Sequence, residues 1–422
     1  MRAVGYLEPE PAAFHRGKRL STNTKRASAP VSRFDFVNGA SSLSSADPHP
    51  SNHALAKQAV LGLNGSVMVA SRELTTETLG KPEVFSSADL VEQGNTRPLI
   101  PLGVDPPEHG RYRRLLDPLF SPRRMEAQEF DIAERVNYFI DTFIDRGSCN
   151  FTTEFAELFP SAVFLGLMGL PWEELETLVR LRDGLLHPGA VESTAEERSA
   201  IQRDTAQQVY AYFDRILDDR EANPRGDVLS AIVGHGDDDV SLPEDSLSRD
   251  EALGTCFVLL TAGLDTVTDS LTCFWAYLAQ NPDRRREIVT DPAVIPHAVE
   301  ELLRWETPVP MVVRWAREES RLGGEVVAAG HHVLVNLSAA NLDPTEFSDP
   351  LTVRFDRAGN RHLAFGGGAH RCLGSHLARR ELRIALREWH RRIPEYTLTP
   401  GYEVRYRPPL RFVPDLQLSW PR

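Results

Sequence analysis

The 422-residue chain is poor in cysteine, with four in all. They stand at positions 149, 256, 273 and 372, with no CxxC or CxxxC spacing among them. Zinc and iron–sulfur centres need clustered thiolates, so neither is expected. Cys256 and Cys273 lie within or beside an apolar helical stretch and read as packing residues. No disulfide framework is suggested, which fits a reducing compartment and a cytoplasmic location. Cationic excess is missing as well: 47 Lys and Arg stand against 60 Asp and Glu, a formal net charge of −13. That balance favours solubility and speaks against a nucleic-acid partner. Long apolar runs are also lacking. The most apolar, 161–170 and 256–264, are too short to cross a bilayer as read. The N-terminus lacks the apolar core of a signal peptide, and no membrane anchor is expected.

What is present is a globular composition, 41% hydrophobic and 25% charged, with ample material for a core. Residues 1–33 mix basic residues with Ser, Pro and Ala and read as a poorly ordered extension. The spacing of apolar residues predicts one long helix over 126–146, with Phe130, Val136, Phe139, Ile140, Phe143 and Ile144 as its buried stripe. Two charged helices are expected at 172–186 and 194–220, on either side of the Pro188-Gly189 turn. Residues 66–71 read as a short strand, and 331–335 and 339–341 as a small sheet.

The most informative stretch is Phe365-Gly366-Gly367-Gly368-Ala369-His370-Arg371-Cys372-Leu373-Gly374. It sets one cysteine in a glycine-rich turn ahead of a helical run over 375–389. Glycine allows positive φ and close approach of the backbone to a flat ligand. A cysteine at a helix N-terminus is favoured as thiolate. A lone thiolate in a shielded turn suits the axial position of a haem iron, with Phe365 covering one side of the sulfur. An isolated cysteine is more often a buried structural residue, but here the pattern Phe-x-x-Gly-x-x-x-Cys-x-Gly is complete.

On these residues the chain resembles the cytochrome P450 superfamily, in its soluble bacterial form. The resemblance implies a mostly α fold with a small β region, in a single domain over 34–422. It implies haem b buried between a long distal helix and the proximal cysteine loop, with Cys372 as metal ligand. The activity it implies is insertion of one oxygen atom from O2 into a hydrophobic molecule, by hydroxylation or epoxidation. Electrons would come from NAD(P)H through a reductase and a ferredoxin.

The apolar pattern over 251–278 carries Ala262-Gly263-Leu264-Asp265-Thr266 at its middle. Gly263 inside a helix costs roughly 1 kcal/mol relative to Ala, and buried Asp and Thr cost more unless hydrogen-bonded. Such exceptions often mark sites. The segment matches the family's acid–alcohol pair, in which Thr266 would hydrogen-bond oxygen and orient a water while Asp265 relays protons. From spacing alone, a kink with Thr266 bonded to its own turn is an equal reading. Val258, Ala262 and Thr266 share a face with Thr261 beside them, and would line the substrate pocket with Pro310 and Val312.

Further resemblances complete the set. Asp105-Pro106-Pro107-Glu108-His109 matches the propionate-binding helix, so His109 and Arg113 would hold propionates together with Arg314 and His370. Ala262, Phe365 and Gly374 would also border the cofactor. Glu301 and Arg304 match a Glu-x-x-Arg pair that is buried with a later arginine, for which Arg354 is the candidate. The spacing around Arg354 departs from the family, with about two extra residues before it and two missing after Asp356. Leu342 stands where the family usually has arginine. Ten arginines between 354 and 392 have only Asp356, Glu381 and Glu388 as acids near them in sequence, which invites an acidic ferredoxin. Arg379 and Arg383 are the expected contacts. A peroxide-driven enzyme and a non-catalytic haem or ligand-binding protein are the other classes. The intact Asp265-Thr266 pair weighs against the first.

Overall fold

The computed structural model describes residues 47–63, 66–88, 94–189, 193–235, 247–407 and 410–421. The extension expected at 1–33 lies outside the described residues.

Helices dominate. In chain order they are α1 His49–Gln58, α2 Arg72–Gly80, α3 Glu108–Leu116, α4 Pro122–Ala127, α5 Glu129–Asp141, α6 Leu158–Leu167, α7 Leu175–Leu186 and α8 Ala195–Ala222. They continue with α9 Val228–Ile232, α10 Arg249–Gly263, α11 Asp265–Gln280, α12 Pro282–Thr290, α13 Ile295–Glu306, α14 Leu337–Ala340 and α15 Ser375–Arg392. The main sheet joins five strands, β1 Val60–Leu63, β2 Ser66–Val69, β3 Phe85–Ser86, β5 Met311–Ala316 and β8 His332–Asn336, in the order β1-β2-β8-β5-β3. Its β2–β8 pair is parallel and the rest are antiparallel. A second sheet brings β4 Ser148–Asn150 together with the C-terminal β10 Gln417–Ser419 and β9 Thr397–Leu398. Strands β6 Ser320–Leu322 and β7 Glu325–Val327 form a separate hairpin.

The centre of the molecule is the pair α10–α11. Ser248 caps α10 through a reciprocal box with Glu251, which satisfies two otherwise orphaned N–H groups. The chain breaks at Leu264, and Asp265 opens α11. The Thr266 hydroxyl spans that break by donating to the Ala262 carbonyl at 3.1 Å. The run Arg249–Gln280 is long and apolar enough to cross a membrane by length and composition, which the separate short runs in the sequence did not suggest. Its most apolar window is 72% buried inside the protein, as befits a core helix. Around α11, Phe151, Phe155, Trp275 and Trp389 interlock, with Phe151 and Trp275 stacked at 4.8 Å and Trp275 edge-on to Trp389 at 5.6 Å. This cluster ties α11 to α15, the helix that follows Cys372.

Three local expectations are corrected. The region 126–146 divides into α4, α5 and a short 3-10 turn instead of one helix. Phe130 is 70% exposed, because it lies off the 3.6-residue stripe of Ile132, Val136, Phe139 and Ile140. Residues 337–340 form α14 instead of sheet, capped by Asn336, whose side chain accepts from the Ala339 N–H. Leu342 is buried, and its carbonyl accepts from His53 Nδ1 at 2.8 Å.

Candidate active site

The cysteine turn is held by its own backbone. The Cys372 N–H donates to the Phe365 carbonyl at 2.9 Å, and Gly366 N–H to Leu363 at 2.8 Å. Gly366 and Gly368 have φ of +66° and +64°, where glycine is favoured. A Cβ on Gly368 would meet the Leu79 carbonyl at 2.0 Å, so the close approach there is to the end of α2. Leu373 packs on the apolar cluster that includes residues of α10, and Phe365 packs on the one that includes residues of α11. The Arg379 guanidinium lies 4.3 Å from the Phe365 ring.

Among the four cysteines, Cys372 alone is accessible. It is nevertheless deep in the fold, since desolvation raises its thiol pKa. The Gly374 N–H and the charges of Arg113, Arg371 and Arg379 pull the other way, but burial outweighs them. For the polypeptide alone, the expected preference for thiolate is therefore reversed, and the ligand must supply it. On the distal helix, Ala262 and Gly263 are exposed although Leu260, Leu264 and Asp265 around them are buried. Val258 is buried, and Thr261 is half-buried with its hydroxyl given to the Phe257 carbonyl at 2.9 Å. Accessible small residues on a core helix, and an accessible sulfur deep in the fold, are surfaces left open among the described residues.

The cationic groups gather around Asp105. His370 Nε2 lies 3.3 Å from its Oδ1, Arg317 donates to Oδ2 at 2.6 Å, and the Ser87 N–H donates at 3.0 Å. The His109 and His370 rings are 4.4 Å apart. Burial first, then Arg314 and His109, pull the His370 pKa down to about 4. His109 is 3% exposed, and among the described residues its Nε2 has no hydrogen-bond partner. Arg314 is buried, with Nη1 donating to the Val313 carbonyl. Arg113 donates to Asp117 at 2.7 Å and to the Arg371 carbonyl at 2.9 Å, which ties α3 to the cysteine turn. Pro310 is buried and lines a small cavity with His49, Asn52, Trp305 and Arg411. Val312 packs on the cluster of the main sheet.

Asp265 is 3% exposed and pairs with His187, the residue after α7, at 3.2 Å. The Thr266 hydroxyl donates to its own turn, as the alternative reading had it. What it offers to a ligand is its acceptor lone pairs instead of its proton.

Glu301 and Arg304 are fully buried and joined by two 2.8 Å bonds. Their third partner is Arg357, not Arg354. Arg357 Nε lies 2.9 and 3.1 Å from the two Glu301 oxygens. Arg354 gives Glu301 only its backbone N–H, at 2.9 Å, and sends its side chain to Asp356 at 3.2 Å. The loop turns so that the side chain three residues later points inward. The two-residue departure noted before Arg354 was the available signal. Asn360 also donates to Glu301, at 3.0 Å.

The arginines of α15 are not a free cationic face. Arg379 is paired with Glu300 at 2.7 Å, Arg380 and Arg387 with Glu129 at 2.9 and 2.8 Å, and Arg392 with Asp141 at 2.5 Å. Arg383 reaches Glu300 at 3.5 Å. Glu129, Asp141 and Glu300 come from other helices, so they are invisible as neighbours in the sequence.

The family model for cytochrome P450 matches residues 290–391. The probable cytochrome P450 127A1 of Sinorhizobium fredii is 38% identical, over 77% of this chain and 75% of its own length. The mycinamicin IV hydroxylase/epoxidase of Micromonospora griseorubida is 35% identical, over 76% of this chain and 75% of its own. Among solved structures, P450BioI in complex with an acyl carrier protein ligated to hexadec-9Z-enoic acid superposes with a TM-score of 0.80 and 27% identity. That match covers 92% of this chain and 100% of that one. Sequence identity of this depth, over most of both chains and on a shared architecture, establishes that the protein belongs to the cytochrome P450 family, the haem-thiolate monooxygenases.

Proposed function

We propose that the protein binds haem b through Cys372 and inserts one oxygen atom from O2 into a small-to-medium hydrophobic substrate, by hydroxylation or epoxidation. The observation that carries this reading is the accessible Cys372, deep in the fold, together with a core helix whose Ala262 and Gly263 are exposed. A flat apolar group fits small residues and a sulfur ligand. The unpartnered Nε2 of His109, with Arg314 close to His370, suits its carboxylates. The name of the Micromonospora relative, a hydroxylase/epoxidase, supports both outcomes.

When bound, a thiolate-ligated haem supplies the electron density that favours O–O cleavage. The chain's own residues do the rest. Gly374 N–H stabilises the sulfur as thiolate, and Phe365 and Leu373 anchor the turn. His109 and Arg314 hold propionates directly. Arg113 and His370 contribute by fixing the turn and the His109 ring. Thr266, its proton engaged by Ala262, accepts a hydrogen bond and so orients a protic group above Ala262. Asp265 delivers protons to that position. Val258, Thr261, Ala262 and Thr266 shape the pocket, with Pro310 and Val312 extending it.

Electrons come from NAD(P)H through a reductase and an acidic ferredoxin that docks beside the cysteine turn. With Arg379 and Arg383 engaged, exposed Arg371 and Arg123 are the better contacts; α4, which carries Arg123, packs along α15. Charge reversal at Arg371 is expected to slow reduction and to weaken its dependence on salt.

The reduced carbonyl complex should show the red-shifted Soret band of thiolate ligation, lost in Cys372→Ala. An imidazole-type spectrum in the parent would overturn the reading. A Soret-shift binding screen then finds substrates, and turnover with O2, reductase and ferredoxin is compared with turnover by peroxide. In Thr266→Ala, NADPH consumption should persist while peroxide accumulates and product falls.

A further inference from the structure

We propose that His187 is the solvent-side entry of the proton path, a positioning residue that loads and holds the Asp265 carboxyl. The inference rests on the reading of Asp265 as the proton-delivering acid.

His187 follows the last residue of α7 and reaches across to the first residue of α11. Its Nε2 is 3.2 Å from both carboxylate oxygens of Asp265. Among the described residues, no other group donates a hydrogen bond to that carboxylate. Arg182 is near but committed: Nε and Nη2 donate to Asp183 at 2.9 and 2.7 Å, and Nη1 donates to the Glu157 carbonyl at 3.1 Å. The two ends of the pair differ in access. The His187 side chain is 32% exposed and that of Asp265 is 5% exposed. The ring also stacks on Phe412 of the C-terminal segment at 6.0 Å, which leaves its Nδ1 without a partner among the described residues.

Imidazole suits this place because it takes a proton at one nitrogen while releasing another from the second. Water gives a proton to Nδ1, and the Nε2 proton passes to Asp265. The ring is left neutral and the carboxyl protonated. Asp265 then hands its proton inward and returns to carboxylate, and exchange with solvent restores the ring. Every charge is regained at the end of the cycle.

The groups facing His187 set its titration. Burial lowers its pKa, and the Asp265 carboxylate outweighs this and raises it above 6.5; Arg182 opposes the rise and Asp183 adds to it. His187 also acts on Glu157, and Asp265 acts on Asp269, one turn along α11. The imidazolium is therefore present below the raised value and lost as pH rises through it.

The test uses the full-length, haem-loaded protein and a substrate found by its Soret shift. Product per NADPH is measured across roughly pH 6 to 9. The parent should lose coupling on the alkaline side. His187→Gln should be about tenfold less coupled below that limb and should show no limb. His187→Lys should recover coupling and move the limb upward, since lysine titrates near ~10.4. Independently, NMR of ring-labelled His187 should show a midpoint above 6.5 that falls in Asp265→Asn. Parental coupling and an unchanged limb in His187→Gln, with coupling lost in Asp265→Asn, would overturn this inference alone. Loss in His187→Gln that His187→Lys does not rescue would also overturn it, as a merely structural role. Parental coupling in Asp265→Asn would overturn the reading of Asp265 itself.

Discussion

Two buried charge clusters, one around Glu301 on α13 and one around Asp265 on α11, are built in opposite ways. Around Glu301, one carboxylate receives two guanidinium groups, an amide and a backbone N–H. The spare N–H groups of Arg304 and Arg357 are taken by the carbonyls of Asn341, Pro350, Ser348 and Thr352. Around Asp265, three buried or half-buried carboxyls share a histidine and an arginine that is already committed. Asp269 Oδ2 has no partner among the described residues, and desolvation, then Asp265, raises its pKa well above 3.8. Glu157 is raised as well, by desolvation above all. A cluster with more donors than it needs locks geometry. A cluster short of donors favours the protonated carboxyl.

The comparison breaks first at Arg357. Arg357→Ala leaves Glu301 short of one cation in a dry site, and a loss of about 3–5 kcal/mol is expected, read by urea unfolding and by haem retention. Normal stability and haem content would mean that the Glu301 cluster is not a structural lock.

The second, smaller effect has the opposite sign. Asp269→Asn should stabilise the protein by about 1–3 kcal/mol, because it replaces an unsatisfied acid with a group that carries no charge. The native state binds more protons than the unfolded chain once pH exceeds 3.8, so Asp269 costs stability increasingly as pH rises toward its folded value. The gain from Asp269→Asn should therefore be larger at pH ~8 than at pH ~5 in thermal melts. A loss at both pH values would show that Asp269 is satisfied after all.

The smallest effect is expected at Arg354. Its side chain is 37% exposed and its contact with Glu301 runs through the main chain, which Ala retains. Arg354→Ala should cost under about 1 kcal/mol. A cost equal to that of Arg357→Ala would restore Arg354 to the cluster.

The sequence already shows much of this. The cysteine turn is local: ten consecutive residues whose glycines and single thiol specify one backbone path. The pair Glu301–Arg304 is local too, because residues three apart on a helix face the same way. Asp265 and Thr266 stand out as costly residues in an apolar helix. Arg357 did not stand out, because the direction of a side chain in a loop depends on turns whose geometry no periodicity encodes. The arginines of α15 misled for a related reason. Their acids, Glu129, Asp141 and Glu300, are between about 80 and 250 residues away in the chain and adjacent only in space.

By itself the sequence showed the motifs that carry the family resemblance, the cysteine turn, the polar Asp265-Thr266 pair in an apolar helix, and the helical character of most of the chain, since each of these rests on residues close together in the chain. The tertiary structure alone decided which arginine reaches Glu301, which carboxylates neutralise α15, that Thr266 turns its proton to Ala262, and that His187 closes on Asp265. Helix periodicity carries information over a few turns. A contact between distant elements depends on how whole helices pack, and that is settled by burial of the core.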